Sequence, residues 1–287
     1  MHAKRRTRVS AAIKVGLALA TLSTPLLAAV SPAAATSDTS QSSDHHQIEI
    51  RVLEPSVAQV VTGSSMSVYV RTSGFQLDAR YAGTPANPEV GHFHTIIDGH
   101  LIDMSPSVRN GNRDTISMVG VQPGDHVLTV VPAGNDHQEV TAAAVSVPFT
   151  YAGPYLPEPA GYTGTDPASI TLTSPANGST IQGSSFTLTA DIKNFVLCGD
   201  CYGKQNVAGQ GHWHIFVDLP AGAMDPMAMM PHMKTMASDP TQVVSLKGLA
   251  AGPHTFTAVL VGNDHMPNMP MAMASVTLNV RSGPHHG

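Results

Sequence analysis

Charge and aromatic side chains are scarce in this chain: of 287 residues only 12% are charged and 5% are aromatic, with a single Trp. The formal net charge is −5, and no Lys/Arg cluster follows the N-terminus, which excludes an electrostatic grip on nucleic acid. No second long apolar run follows the N-terminal one, so no downstream segment is expected to span a membrane. There is no GxSxG elbow, HExxH helix or phosphate-binding Gly loop beyond the N-terminal segment, and no window there keeps a capped 3.6-residue apolar period. The chain has two cysteines, Cys198 and Cys201.

The N-terminus has the form of an export signal. Lys4, Arg5, Arg6 and Arg8 make a basic start, 15–30 is apolar, and Ala33, Ala34 and Ala35 offer a small-residue cleavage site. Arg5 and Arg6 invite a twin-arginine reading, but Thr7, Arg8 and Val9 lack the apolar follow-up, which favours ordinary secretion. Removing 1–35 takes away Lys4, Arg5, Arg6, Arg8 and Lys14 and no acidic residue, so the mature chain is markedly anionic and attracts cations. Residues 36–46 are expected to be a disordered lead-in and 282–287 a tail.

What the chain has in excess is Gly (25), Pro (22), His (15) and Met (14). Its organisation is an internal repeat. At an offset of 120, Gly91, His92, His94 and Asp98 match Gly211, His212, His214 and Asp218. At an offset of 128, His126, Asn135, Asp136 and His137 match His254, Asn263, Asp264 and His265. The second copy therefore carries extra residues between Asp218 and Gly252. Each copy spells short alternating strands broken by Gly, Pro, Asn and Ser: 47–53, 65–71, 92–98, 126–131 and 144–150, then 169–173, 185–191, 212–218, 254–261 and 275–280. That pattern predicts an all-β protein of two tandem immunoglobulin-like β-sandwich domains, 47–150 and 169–281, joined by an extended Pro/Gly-rich linker, 151–168.

Period-two geometry divides GHWHIFVD into two faces. Trp213, Ile215 and Val217 turn to the core, and His212, His214, Phe216 and Asp218 turn away from it. If this strand and 254–261 are antiparallel neighbours, His265 falls beside His212 and His214, while His254 falls at the other end near Asp218. His212, His214 and His265 are thus a candidate metal triad, and Asp218 with His254 a structural pair. The first copy offers His92, His94 and His137 as the triad and Asp98 with His126 as the pair. Converging imidazoles suit copper or zinc; the competing reading is a hydrogen-bonded polar edge kept through duplication.

Ten methionines fall in two segments of the second copy. One holds Met224, Met227, Met229, Met230, Met233 and Met236 with His232; the other holds Met266, Met269, Met271 and Met273. Thioethers favour Cu(I), so Met266 and Met269 are candidate ligands beside His265 and the remainder a Cu(I)-binding loop. The alternative is an adaptable apolar surface for a protein partner outside the cytoplasm. Cys198 and Cys201 read as a local disulfide in an exported chain, with thiolate ligation or redox chemistry as the alternative.

GHWHIFVD, LAAGPHTFTAVLVGNDH and their counterparts GHFHTIID and VQPGDHVLTVVPAGNDH resemble a family of secreted bacterial domains of unassigned function. That family carries a GHxH-plus-Asp strand, a PG-x-H strand start and a later Asp-His. The resemblance implies an immunoglobulin-like domain outside the cytoplasm and supplies no activity. HxH on a sandwich strand also resembles the copper ligands of copper/zinc superoxide dismutases, without the long metal-binding loop that should follow. The sequence thus points to an exported, non-enzymatic copper-binding protein, with zinc as the alternative ion. An extracellular interaction module and a copper oxidoreductase are the competing readings.

Overall fold

The computed structural model describes residues 48–104 and 111–281. The expected signal segment, lead-in and tail lie outside the described residues. Among the described residues nine strands form the first copy: β1 (Glu49–Glu54), β2 (Gln59–Val61), β3 (Ser65–Ser73), β4 (Gln76–Leu77), β5 (Val90–Ile97), β6 (His100–Asp103), β7 (Arg113–Ser117), β8 (Gly124–Gly134) and β9 (Val145–Tyr151). One sheet runs β1-β3-β7, and the facing sheet runs β2-β9-β8-β5-β4 with β6 paired to β5.

The second copy repeats this with β10 (Ser169–Ser174), β11 (Thr180–Gln182), β12 (Ser185–Lys193), β13 (Val196–Leu197), β14 (Gln210–Val217), β15 (Met233–Ala237), β16 (Thr241–Ser245), β17 (Gly252–Val261) and β18 (Met273–Arg281). Its sheets are β10-β12-β16 and β11-β18-β17-β14-β13, with β15 on β14. The chain is therefore two tandem immunoglobulin-like β-sandwiches.

Alternation builds each core. Trp213, Ile215 and Val217 pack with Leu188, Phe256, Ala258 and Leu260 in the second sandwich. Phe93, Ile97, Val68, Leu128 and Val130 do the same in the first. The opposite faces of β5 and β14 do not meet water: all eight residues of β14 are buried, and a third apolar cluster joins Met104 of the first copy to Phe216, Met229, Met233, Met236, Val259 and Val261 of the second. The two sandwiches are docked through these faces. The linker takes part: Leu156 accepts from Gly120 N, Tyr162 N donates to Gly209 O, and Tyr151 belongs to β9.

The first Met-rich segment is not the flexible loop its Pro content implies. Met227 and Met229 lie in α1 (Pro226–Met229), capped by the Asp225 carboxylate accepting from Met227 N. Met233 and Met236 lie in β15, where burial of their apolar side chains between domains outweighs the local turn signals. Pairing places the insertion. Phe216 opposes Met233 as Ile96 opposes Leu101, and both strand pairs bulge at that step. The repeat offset is 120 at His92/His212, 132 at Leu101/Met233 and 128 at Arg113/Thr241, so the second copy gains residues before β15 and loses some after it.

One corner of each sandwich is pinned differently. In the first, Asp78 is buried and binds Arg80 at 2.6 Å and Lys247 of the other sandwich at 2.9 Å. In the second, the equivalent residue is Cys198, bonded to Cys201 at an S–S distance of 1.96 Å. Burial by itself raises the Asp78 carboxyl, but the bonds from Arg80 and Lys247 outweigh it and hold it at about 2, below its ordinary 3.8. This contribution is whole above pH 3.8 and is lost as pH falls towards 2. Asp78→Ala is expected to cost about 2 kcal/mol at pH 7, the linkage value of a carboxyl lowered from 3.8 to about 2, measured by urea unfolding, and the cost should shrink as pH falls through that window.

Candidate metal centres

Two local features aim the histidines. In the Gly-His-x-His strands a Cβ on Gly91 would strike the Ala133 carbonyl, and one on Gly211 the Val261 carbonyl, so only glycine lets β8 and β17 approach so closely. In the Gly-Asn-Asp-His turns His137 and His265 adopt φ of 61° and 64°, in the left-handed region. The turn is closed by His137 N donating to Gly134 O and His265 N donating to Gly262 O. Antiparallel pairing of β5 with β8 and β14 with β17, in the register His92 to Ala133 and His212 to Val261, brings each turn over its strand.

Three ring nitrogens converge in each copy. In the first, His92 Nε2 lies 3.1 Å from His94 Nε2 and 3.0 Å from His137 Nδ1, with 3.3 Å closing the triangle. In the second the corresponding distances for His212, His214 and His265 are 3.0, 3.0 and 3.4 Å. Ligands about 2.0 Å from a tetrahedral ion stand about 3.3 Å apart, so both triangles match three corners of such a site.

Outer hydrogen bonds set the tautomers. His137 Nε2 donates to the Met233 carbonyl at 2.9 Å, and His265 Nε2 donates to the Leu101 carbonyl at 3.0 Å. Each bond crosses between domains, and each leaves Nδ1 as a lone pair facing its triad. His94 Nδ1 faces Glu139 Oε1 at 2.8 Å, which leaves His94 Nε2 as a second lone pair. His92 Nε2 has at most one proton for two acceptors, and His92 Nδ1 and His212 Nδ1 are buried without a partner. A cation meets the demand of three inward lone pairs and lets His92 and His212 carry the proton on Nδ1, so the residues present fit a metal ion.

Burial, reinforced by neighbouring imidazoles, pushes His92, His212 and His214 well below the ordinary 6.5. Burial likewise lowers His137 to about 3, and His265 to about 4 against the opposing bond to Leu101. All five are neutral, ligand-ready rings at pH 7. The triads also sense each other across the domain boundary, since His137 acts on His214 and His94 on His265.

The two histidines set aside as structural lie at the opposite strand ends. His126 Nδ1 meets Asp98 Oδ2 at 2.6 Å and its Nε2 meets Gln122 O; His254 meets Asp218 at 2.6 Å and Ala250 O likewise. Both ring nitrogens face oxygen, so neither turns to an ion. Met266 and Met269 are 53% and 87% exposed, outside the apolar cluster that Met229, Met233 and Met236 help form, while Met271 packs against its edge. Met224, Met227 and Met273 are also exposed, Met230 packs on the cluster, and His232 Nδ1 is taken up by Val217 O. With their sulfurs bonded to each other, Cys198 and Cys201 offer no thiolate. Sequence reasoning missed Glu139, Tyr202 and the carbonyls of Leu101 and Met233. The signal it could have used is the run of apolar residues at both parities, Ala258 to Val261 and Val130 to Ala133, which marks strands covered on both faces.

No protein-family profile matches the chain, and no curated protein sequence matches it significantly. Solved structures that align with it include fibronectin(III)-like modules of Clostridium thermocellum CbhA, at 12% identity over 81% of this chain and 94% of that one, with a TM-score of 0.25. A Dscam structure aligns at 12% identity over 82% of this chain with a TM-score of 0.21, and a tandem repeat from the extending region of a large adhesion protein at 12% over 82% with 0.23. The chain spans 46% and 49% of those two chains, less than two thirds of their length. The sandwich assignment rests on the chain's own strand order.

The lowered imidazoles give the metal-free protein a defined pH response. As pH falls through 6.5 the unfolded chain takes up protons that the buried rings refuse, so stability should decline from about pH 6.5 towards 4. Urea midpoints in the presence of a chelator at pH 7.5, 6 and 5 check this, and a flat profile contradicts it.

Proposed function

We propose that this is an exported, non-enzymatic protein that binds copper at the two histidine triads, for sequestration or delivery. The observation that carries metal binding is the convergence, twice over, of three buried imidazoles whose ligand atoms lie within 4.8 Å of one another. Neutral nitrogen donors suit copper and zinc over calcium or magnesium, which demand oxygen. The density of methionines in the sequence of the second copy favours copper. The basic and apolar start of the sequence and the disulfide support a place outside the cytoplasm, and no helix among the described residues is long and apolar enough to cross a membrane. A second reading, a docking module for an extracellular protein, draws on one observation: Met224, Met227, Met266 and Met269 stand exposed on the second domain.

The test is metal content and titration of the full mature chain. Wild type is expected to bind one ion per triad. His92→Ala/His94→Ala and His212→Ala/His214→Ala should each remove one equivalent and leave the other, as read by elemental analysis of copper and zinc together. Saturating copper at about 100 times Kd should add about 2.7 kcal/mol to stability. Undiminished binding in both double variants overturns the proposal.

A further inference from the structure

The two triads share ligands and geometry but not surroundings, and the differences all lie one residue beyond the ligands. His94 Nδ1 is held by the Glu139 carboxylate at 2.8 Å; by the repeat, the residue at that place in the second copy is Pro267. Ala82, fully buried, precedes the first triad where Tyr202 stands in the second, and the Tyr202 ring lies 4.3 Å from that of His212 and 6.1 Å from that of His265. Phe216, 5.9 Å from the His214 ring, replaces Ile96.

These differences bear on charge. A carboxylate that accepts from a ligating imidazole raises the basicity of its other nitrogen and supplies a counter-charge to the ion. The second triad has aromatic carbon in that shell. The cost of burying an ion grows with the square of its charge, so an apolar shell without a carboxylate on a ligand ring discriminates against a dication and tolerates a monocation. The other charges near the triads do not cancel this contrast. Asp264 acts on His265 through space from its turn, with one carboxylate oxygen accepting from Met266 N and the other from Asn206 Nδ2, whereas Glu139 bonds its ligand ring directly; the corresponding Asp136 accepts from Gln138 N. Lys234 acts on His137, but its ammonium donates to the carbonyls of Arg80 and Lys247.

Resting on the metal-binding reading above, we infer that the protein is a mixed-ion device. His92, His94 and His137, backed by Glu139, hold a divalent ion, and His212, His214 and His265, backed by Tyr202 and Phe216, hold monovalent copper. The divalent ion then clamps the domain junction through His137 and Met233, and the copper site is the one that borders the exposed Met266.

The experiment uses the full mature chain freed of metal, with Co(II) as the divalent probe read by its visible absorption. Cu(I) is read anaerobically by competition with a chromophoric chelator. The Co(II) signal should survive His212→Ala/His214→Ala and vanish in His92→Ala/His94→Ala, and Cu(I) should behave the opposite way. Glu139→Gln, a partly exposed and nearly isosteric change, should weaken Co(II) by 10- to 100-fold, as removal of an outer-sphere carboxylate does, and move Cu(I) affinity by less than about threefold. Equal preference of the triads for both ions, or an unchanged Co(II) affinity in Glu139→Gln, overturns this inference and leaves metal binding standing. Failure of wild type to bind either ion overturns both.

Discussion

Two hydrogen bonds between domains determine whether either triad exists as a ligand set. His137 gives its Nε2 proton to Met233 O in the second sandwich, and His265 gives its own to Leu101 O in the first. Without the acceptor, a neutral imidazole is free to place its proton on either nitrogen and to turn about its side-chain torsions. With it, Nδ1 is a lone pair at a fixed point. Each domain therefore supplies three histidines and depends on the other domain's edge strand to finish them. The acceptors are equivalent residues at equivalent bulges of β6 and β15, so the junction is reciprocal in the manner of an isologous dimer, although one chain forms it.

Reciprocity explains why the second face of each sheet is apolar. A triad buried between sandwiches needs both faces covered: Trp213 and Ile215 fill one side of β14, and Phe216, Met233 and Met236 fill the other. Methionine suits this seam because the two copies are not identical, and an unbranched thioether adapts to an irregular gap better than a β-branched residue does. The same divergence appears at the corners, where Asp78, with Arg80 and Lys247, does for one copy what the Cys198–Cys201 bond does for the other.

The sandwiches, the HxH face and the placing of His265 beside His212 were legible in the sequence. Period-two alternation and antiparallel adjacency are local rules that need only the strand order. Short edge strands were not: β2, β4, β6 and β11 carry too few residues to show a period. The docking of the domains was equally hidden, because a strand reading assigns one face to the core and leaves the other to solvent by default. For that reason Met233 and Met236 look like loop ligands in the sequence but are covered strand residues, and Glu139 gives no sequence signal because its charge lies in a turn whose partner, His94, is 45 residues away.

Proximity of the triads adds a further constraint on what can occupy them together. The triads lie close enough that His137 acts on His214 and His94 on His265, and at any one separation two dications repel twice as strongly as a dication and a monocation. A pair of equal divalent sites at this junction would therefore oppose its own filling more than a mixed pair. A carboxylate beside one triad and aromatic carbon beside the other relieve that conflict, because the ions each environment favours are those whose mutual repulsion is smaller. The asymmetry of the surroundings and the closeness of the sites therefore favour the same occupancy, although one arises from single-residue differences between the copies and the other from the way the domains dock.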